Sequence, residues 1–180
     1  MSAGAAKALT SRSSHFELFG LPARYSLDQA MLETAYRDIQ SRVHPDRFAH
    51  AGDAERRASL QWTTRVNEAF QTLKSPVRRA KHLLELQGVD VAFETNTQMP
   101  TDFLMQQLEL REELDSSRKD VPALDALRAR LVSQKKLLES EIGETIDGKK
   151  DYTGAAELVR KLMFLDKLDE EIDSAYEEAE

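Results

Sequence analysis

The stretch "SRVHPDRF", Ser41 to Phe48, ends one helical run and opens a loop. Pro45 cannot occupy a helix interior and pushes the residue before it out of the α region, so His44 marks the end of the helix. His44 and Asp46 then stand in an exposed loop between Arg42 and Arg47. Three chemistries are open to such a loop: a catalytic pair, a pair of metal ligands, or a contact read by a partner protein.

On the N-terminal side, "SLDQAMLETAYRDIQSRV" places Leu32, Ala35, Tyr36, Ile39 and Val43 at the three-and-four spacing of one helix face. This predicts a helix from about Leu27 to Val43, with Ser26 and Gln29 as a capping box. On the other side, Trp62, Val66, Ala69, Phe70 and Leu73 predict a second helix, antiparallel to the first across the loop. A third piece, "SPVRRAKHLLELQG", has Ser75 at the N-cap, Pro76 at the first helical position and Gly88 as the stop.

"VDVAFETNTQMP" has no helical period and is taken as the boundary between two domains. Three more helices follow. The first runs from Asp102 to about Ser116 behind a Thr101 cap; the second carries Leu124, Leu127, Leu131, Leu138 and Ile142 behind Asp120 and Pro122; the third carries Leu158, Leu162, Leu165, Ile172 and Tyr176. Short connections predict an antiparallel three-helix bundle.

Composition removes several function classes. The chain has no cysteine, which excludes a disulfide framework, a thiolate zinc site and a thiolate-held iron–sulfur cluster. No apolar run approaches the ~20 residues of a membrane span. The net charge of −7 is uneven, since residues 1–80 carry 12 Lys/Arg against 8 Asp/Glu and the remainder 13 against 24. The two halves are expected to meet different partners, and nucleic acid is not among them, because its recognition needs a concentrated basic footprint. The opening "MSAGAAKALTSRSS" lacks a signal-peptide apolar core and is read as a disordered tail.

A catalytic pair at His44 and Asp46 needs a pocket and a nucleophile held against the base, and the sequence offers no Ser or Thr motif for one. A metal on His44, Asp46 and His50 would rest on a glycine-containing loop without compact ligand spacing. A helix with Tyr36, Arg37 and Arg42, then His-Pro-Asp, then "VNEAFQTLKSPVRR", resembles the J domain, which docks on DnaK-type ATP-dependent chaperones. The resemblance implies that His44, Pro45 and Asp46 form the trigger loop for the chaperone's ATPase and that Arg37, Arg42 and Arg47 form a docking face for its acidic surface. Exposed cations steer such a partner, and a rigid loop delivers His and Asp to a defined contact. Asp38 departs from the family pattern, standing where many J domains carry another base, as does Val43, which replaces a common aromatic residue.

In the second half, projection at about 100° per residue puts Phe103, Leu110 and Leu114 on a core seam, whereas Leu104, Met105, Leu108, Glu109 and Glu112 fall on a separate arc. Phe164 projects away from its own helix's seam, among Glu157, Arg160, Lys167 and Glu171. Misplaced apolar residues of this kind mark a binding surface, or else the edge of a broad buried stripe.

"FLMQQLELREELD" and "VRKLMFLDKLDEEI", behind "HFELFGLPARYSLD" and the His-Pro-Asp loop, resemble the HscB family of J-type co-chaperones of iron–sulfur cluster biogenesis, from about His15 to Ala175. The resemblance implies that the C-terminal bundle binds the cluster scaffold IscU through Leu104, Met105, Leu108, Glu109, Glu112 and Phe164. It further implies that the J domain presents the scaffold to the specialised chaperone HscA and stimulates its ATPase. A protein without cysteine would help transfer a cluster without ligating it, and no cofactor or metal is called for. Animal members carry a CxxC zinc module, so its absence points to the bacterial cytoplasm, with the mitochondrial matrix as the alternative.

The expectation is an all-α, monomeric, non-enzymatic adaptor. A tail at 1–13, a J domain at 14–88, a linker at 89–100 and a scaffold-binding three-helix domain at 101–180 make up the chain. The rivals are a general J protein delivering other clients and a His-dependent hydrolase using His44 and Asp46.

Overall fold

The computed structural model describes residues 14–91 and 99–179. The expected tail and most of the expected linker lie outside those residues. The chain divides into two compact units, Met1–Leu86 and Gln87–Glu180, each with its own core. Among the described residues the secondary structure is entirely helical, and no helix is long and apolar enough to cross a membrane.

The N-terminal unit holds α1 (His15–Leu18), α2 (Gln29–Val43), α3 (Asp53–Lys74) and α4 (Pro76–Leu86). Patterning did not anticipate α1, a single turn closed by a capping box. The Glu17 N–H donates to Ser14 Oγ at 3.2 Å, and the Ser14 N–H donates to the Glu17 carboxylate at 3.0 Å. α2 starts at Gln29, and its cap is Asp28 rather than Ser26. The Asp28 carboxylate accepts from the N–H groups of Ala30 and Met31 at 2.9 and 3.2 Å. A carboxylate both satisfies these orphan donors and faces the positive end of the helix dipole, which favours Asp28 over a hydroxyl two residues earlier.

α2 and α3 are antiparallel, because Val43 meets Ser59 and Thr63 while Tyr36 meets Asn67 and Phe70. The Tyr36 ring stacks on Phe70 with centroids 4.1 Å apart, and its hydroxyl donates to Asn67 at 2.9 Å. As read from the sequence, Ser75 caps α4, its hydroxyl accepting from the Arg78 N–H at 3.3 Å. Gly88 takes the left-handed φ of +73° just past the helix end, a conformation open to glycine at no steric cost. Phe16, Leu32, Val66, Leu73 and Leu84 are fully buried and form the centre of this unit.

The C-terminal unit is a bundle of α5 (Thr101–Ser117), α6 (Val121–Gly143) and α7 (Tyr152–Ala179), with a π-helical turn, Glu144–Lys149, extending α6. Asp120 caps α6 through the Ala123 N–H at 3.2 Å, with Pro122 in the first turn, as the sequence suggests. Thr101, expected as the cap of α5, is its first helical residue, and Pro100 stands at the N-cap with no side-chain bond. α6 and α7 are antiparallel, tied by Arg128 to Asp169 and Asp173 and by Lys135 to Asp166 and Asp169. α5 runs parallel to α7, through Arg111–Glu171 and Arg118–Glu178.

Candidate functional site

The His-Pro-Asp loop is built from the end of α2. Val43 is the last helical residue and His44 leaves the α region at φ −58°, ψ 131°, after which Pro45–Phe48 form a 3₁₀ turn. Proline's fixed φ suits the first position of that turn, and its missing N–H would be an orphan there anyway. His44 Nδ1 accepts from the Asp46 backbone N–H at 3.3 Å, so the imidazole caps the turn and leaves Nε2 as the outward donor. The Asp46 carboxylate lies 3.5 Å from the same Nδ1, and its side chain is 91% exposed.

Three side chains hold this geometry by satisfying the carbonyls at the end of α2. Arg47 donates to the Ser41 carbonyl at 3.1 Å, and from α3 Ser59 and Thr63 donate to the Val43 carbonyl at 2.6 and 3.2 Å. Sequence reading missed Ser59 and Thr63; their four-residue spacing on one face of α3 was the available signal. Because both hydroxyls are committed to Val43, neither is held against His44 as a nucleophile. Among the described residues no group of three or more His, Asp or Glu side chains could hold a metal ion. What the loop offers is a fixed, exposed imidazole and carboxylate.

Arg37 and Arg42 lie on the exposed part of α2, each beside an acid one turn back. Arg37 is 3.4 Å from Glu33 and Arg42 is 2.7 Å from Asp38. The departure noted at Asp38 therefore has a physical effect: it neutralises part of the face that the loop adjoins.

In the C-terminal unit, Leu104, Met105 and Leu108 are 46%, 60% and 59% exposed, on the same outward part of α5 as the exposed Glu109 and Glu112. Phe164 is different. It was expected on a charged outer face, but it is 3% exposed and packs edge-on against Phe103 with centroids 5.8 Å apart. Leu158, expected in the seam, is only half-buried, and Val159 is buried instead. The reason is that α7 touches both α5 and α6, so a stripe much wider than a single seam is covered. The Arg111 guanidinium lies over the Phe164 ring at 5.6 Å and pairs with Glu171 at 3.6 Å, so Phe164 sits beneath the surface, under Arg111.

An exposed His-Pro-Asp turn on a helical hairpin, followed by a separate helical bundle, defines a J-domain co-chaperone. A family model described as the HSCB C-terminal oligomerisation domain matches residues 99–173. A co-chaperone protein HscB homolog from Burkholderia mallei is 50% identical over 171 residues, covering 94% of this chain and 97% of that protein. Among solved structures, the chaperone HscB from Vibrio cholerae matches with a TM-score of 0.82 at 35% identity, covering 93% of this chain and all (100%) of the other. Human co-chaperone HscB matches with a TM-score of 0.88 at 25% identity, covering 93% of this chain and 84% of the other. The chain belongs to the HscB family of co-chaperones.

Proposed function

We propose that this protein binds the iron–sulfur cluster scaffold IscU through α5 of its C-terminal unit and delivers it to the DnaK-type chaperone HscA. Through His44, Pro45 and Asp46 it stimulates the ATPase of that chaperone, in the bacterial cytoplasm. The observation that carries the reading is the strip Leu104, Met105 and Leu108, exposed on a helix whose other face fills a complete core. Three large apolar side chains on one helix face, flanked by Glu109 and Glu112, form a docking surface with an apolar centre and an acidic rim. Phe164 supports that surface from below, by holding Arg111 and Phe103, rather than by touching the scaffold.

At the other end of the chain, Arg37, Arg42 and Arg47 border the loop and meet an acidic surface of the chaperone. The imidazole Nε2–H and the Asp46 carboxylate are the groups it contacts. Because loop and strip belong to different compact units, one protein holds cargo and triggers the chaperone together.

The test is the steady-state ATPase rate of HscA with this protein, alone and with IscU added. Stimulation by the protein, further raised by IscU and lost in that increment when Leu104, Met105 and Leu108 are changed to alanine, is the expected result. Stimulation indifferent to IscU would leave a general J protein serving other clients. Self-association of the C-terminal unit, as the family model's description suggests, would appear as a dimer in sedimentation; a monomer is expected.

A further inference from the structure

We infer that the docking surface on α5 continues onto α6, where a cleft beside Leu137 receives an apolar side chain of the same scaffold; this rests on the reading of α5 given above. The cleft, about 220 Å³ in volume, lies where the three helices meet and is walled by Phe103 and Gln106 of α5, Gln134 and Leu137 of α6, and Lys161 of α7. Leu137 is 72% exposed, more than any residue of the α5 strip.

Ion pairs show which side of α5 borders which helix. Arg111 and Arg118 reach α7, while Glu113 pairs with Arg130 of α6. At about 100° per residue, Gln106 and Glu109 fall toward the Glu113 side, and Met105 lies about 40° beyond Glu109. Glu109 therefore stands between the exposed Met105 and Gln106, which is a wall of the cleft. A partner seated on Met105 crosses Glu109 and then Gln106 to reach Leu137.

The polar groups of the cleft state what that partner segment carries. Gln134 lines the cleft, and its Oε1 is buried with no hydrogen-bond partner among the described residues, an acceptor that an N–H of an entering segment satisfies once the side chain turns toward it. Lys161 lies over the Phe103 ring at 5.5 Å and makes no ion pair among the described residues, although this half of the chain has an excess of acid. A segment bearing an apolar side chain, a free backbone N–H and a nearby carboxylate satisfies all three residues. A second copy of this chain fits less well. A two-fold pairing of the same face would gather two copies of Glu109 and Glu112 into one interface.

Leu137→Asp in the full chain is the decisive variant, since so exposed a side chain is not needed for folding. Scaffold affinity measured by calorimetry is expected to fall about ten-fold or more, the size of a lost apolar anchor, with the melting curve unchanged. Lys161→Glu is expected to weaken binding as well, and more strongly at low salt. If Leu108→Ala weakens the scaffold and Leu137→Asp does not, the extension onto α6 is wrong and the α5 reading stands. If neither variant changes affinity, both fall. A parent protein that sediments as a dimer which Leu137→Asp dissolves would overturn the proposal in favour of a second copy.

Discussion

The Arg42 guanidinium sits 2.7 Å from the Asp38 carboxylate one turn earlier on α2, with both side chains well exposed. The pair places an acid inside the basic face proposed to dock on the chaperone, and its order along the helix, acid before base, is the favourable one. Asp38→Asn releases Arg42 and should raise affinity for an acidic chaperone surface several-fold. It should also steepen the fall in affinity with salt, because exposed charges are screened over a Debye length of about 8 to 10 Å. Arg42→Ala should do the reverse. Chaperone affinity titrated at several salt concentrations checks both, and equal salt slopes for all three proteins would remove Arg42 from the interface.

At the loop, His44→Gln or Asp46→Asn is expected to abolish ATPase stimulation while leaving scaffold affinity at the parent value. The two functions are assigned to separate compact units. A parallel loss of both would contradict that division.

Ser59→Ala combined with Thr63→Val leaves the Val43 carbonyl without its two hydroxyl donors. Each lost hydrogen bond is worth about 1 kcal/mol, so the N-terminal unit should lose stability measurably. The single tryptophan, Trp62 of α3, reports this unit by fluorescence. Stimulation should drop further than chaperone binding does, because the loop loses its fixed orientation while the arginines remain.

The burial of Phe164 separates two sets of alanine variants. Phe164→Ala removes a core side chain and should cost about 3 to 5 kcal/mol, melting the C-terminal unit many degrees earlier by circular dichroism. Leu104→Ala, Met105→Ala and Leu108→Ala are surface changes, each within about 0.5 kcal/mol, yet these should weaken the scaffold. A Phe164→Ala protein as stable as its parent would contradict the packing against Phe103.

Acidity should act on the N-terminal unit through His15 and His82, whose rings stack 4.2 Å apart between α1 and α4. Burial lowers the pKa of His82 to about 4, helped by the neighbouring His15. Burial also lowers that of His15, opposed first by Glu68, with Arg65 lowering it further and Glu85 opposing least. Since the unfolded chain takes up these protons first, the stability held by the neutral pair is complete above pH 6.5 and is lost as pH falls from 6.5 toward about 4. His82→Gln should flatten that part of the Trp62 stability profile relative to the parent. An unchanged slope would show that other groups set it.

The features legible in the sequence were those carried by neighbours along the chain. Pro45 ends α2 whatever surrounds it, because its ring and missing N–H act on adjacent residues. Ser75 with Pro76, and Asp120 with Pro122, start their helices for equally local reasons, and three-and-four spacing drew the exposed strip on α5. Tertiary structure decided the rest. Whether Phe164 is surface or core depends on how many helices cover α7, and two do. Ser59 and Thr63 support the loop only because the hairpin brings them to Val43, 16 and 20 residues away in sequence. Leu137 falls outside the seam of Leu124, Leu127, Leu131, Leu138 and Ile142, so the period of α6 marks it only as lying off the core face. Only the placement of α5 and α7 leaves it beside an open cleft, since a period says which residues share a face and packing determines which faces are covered.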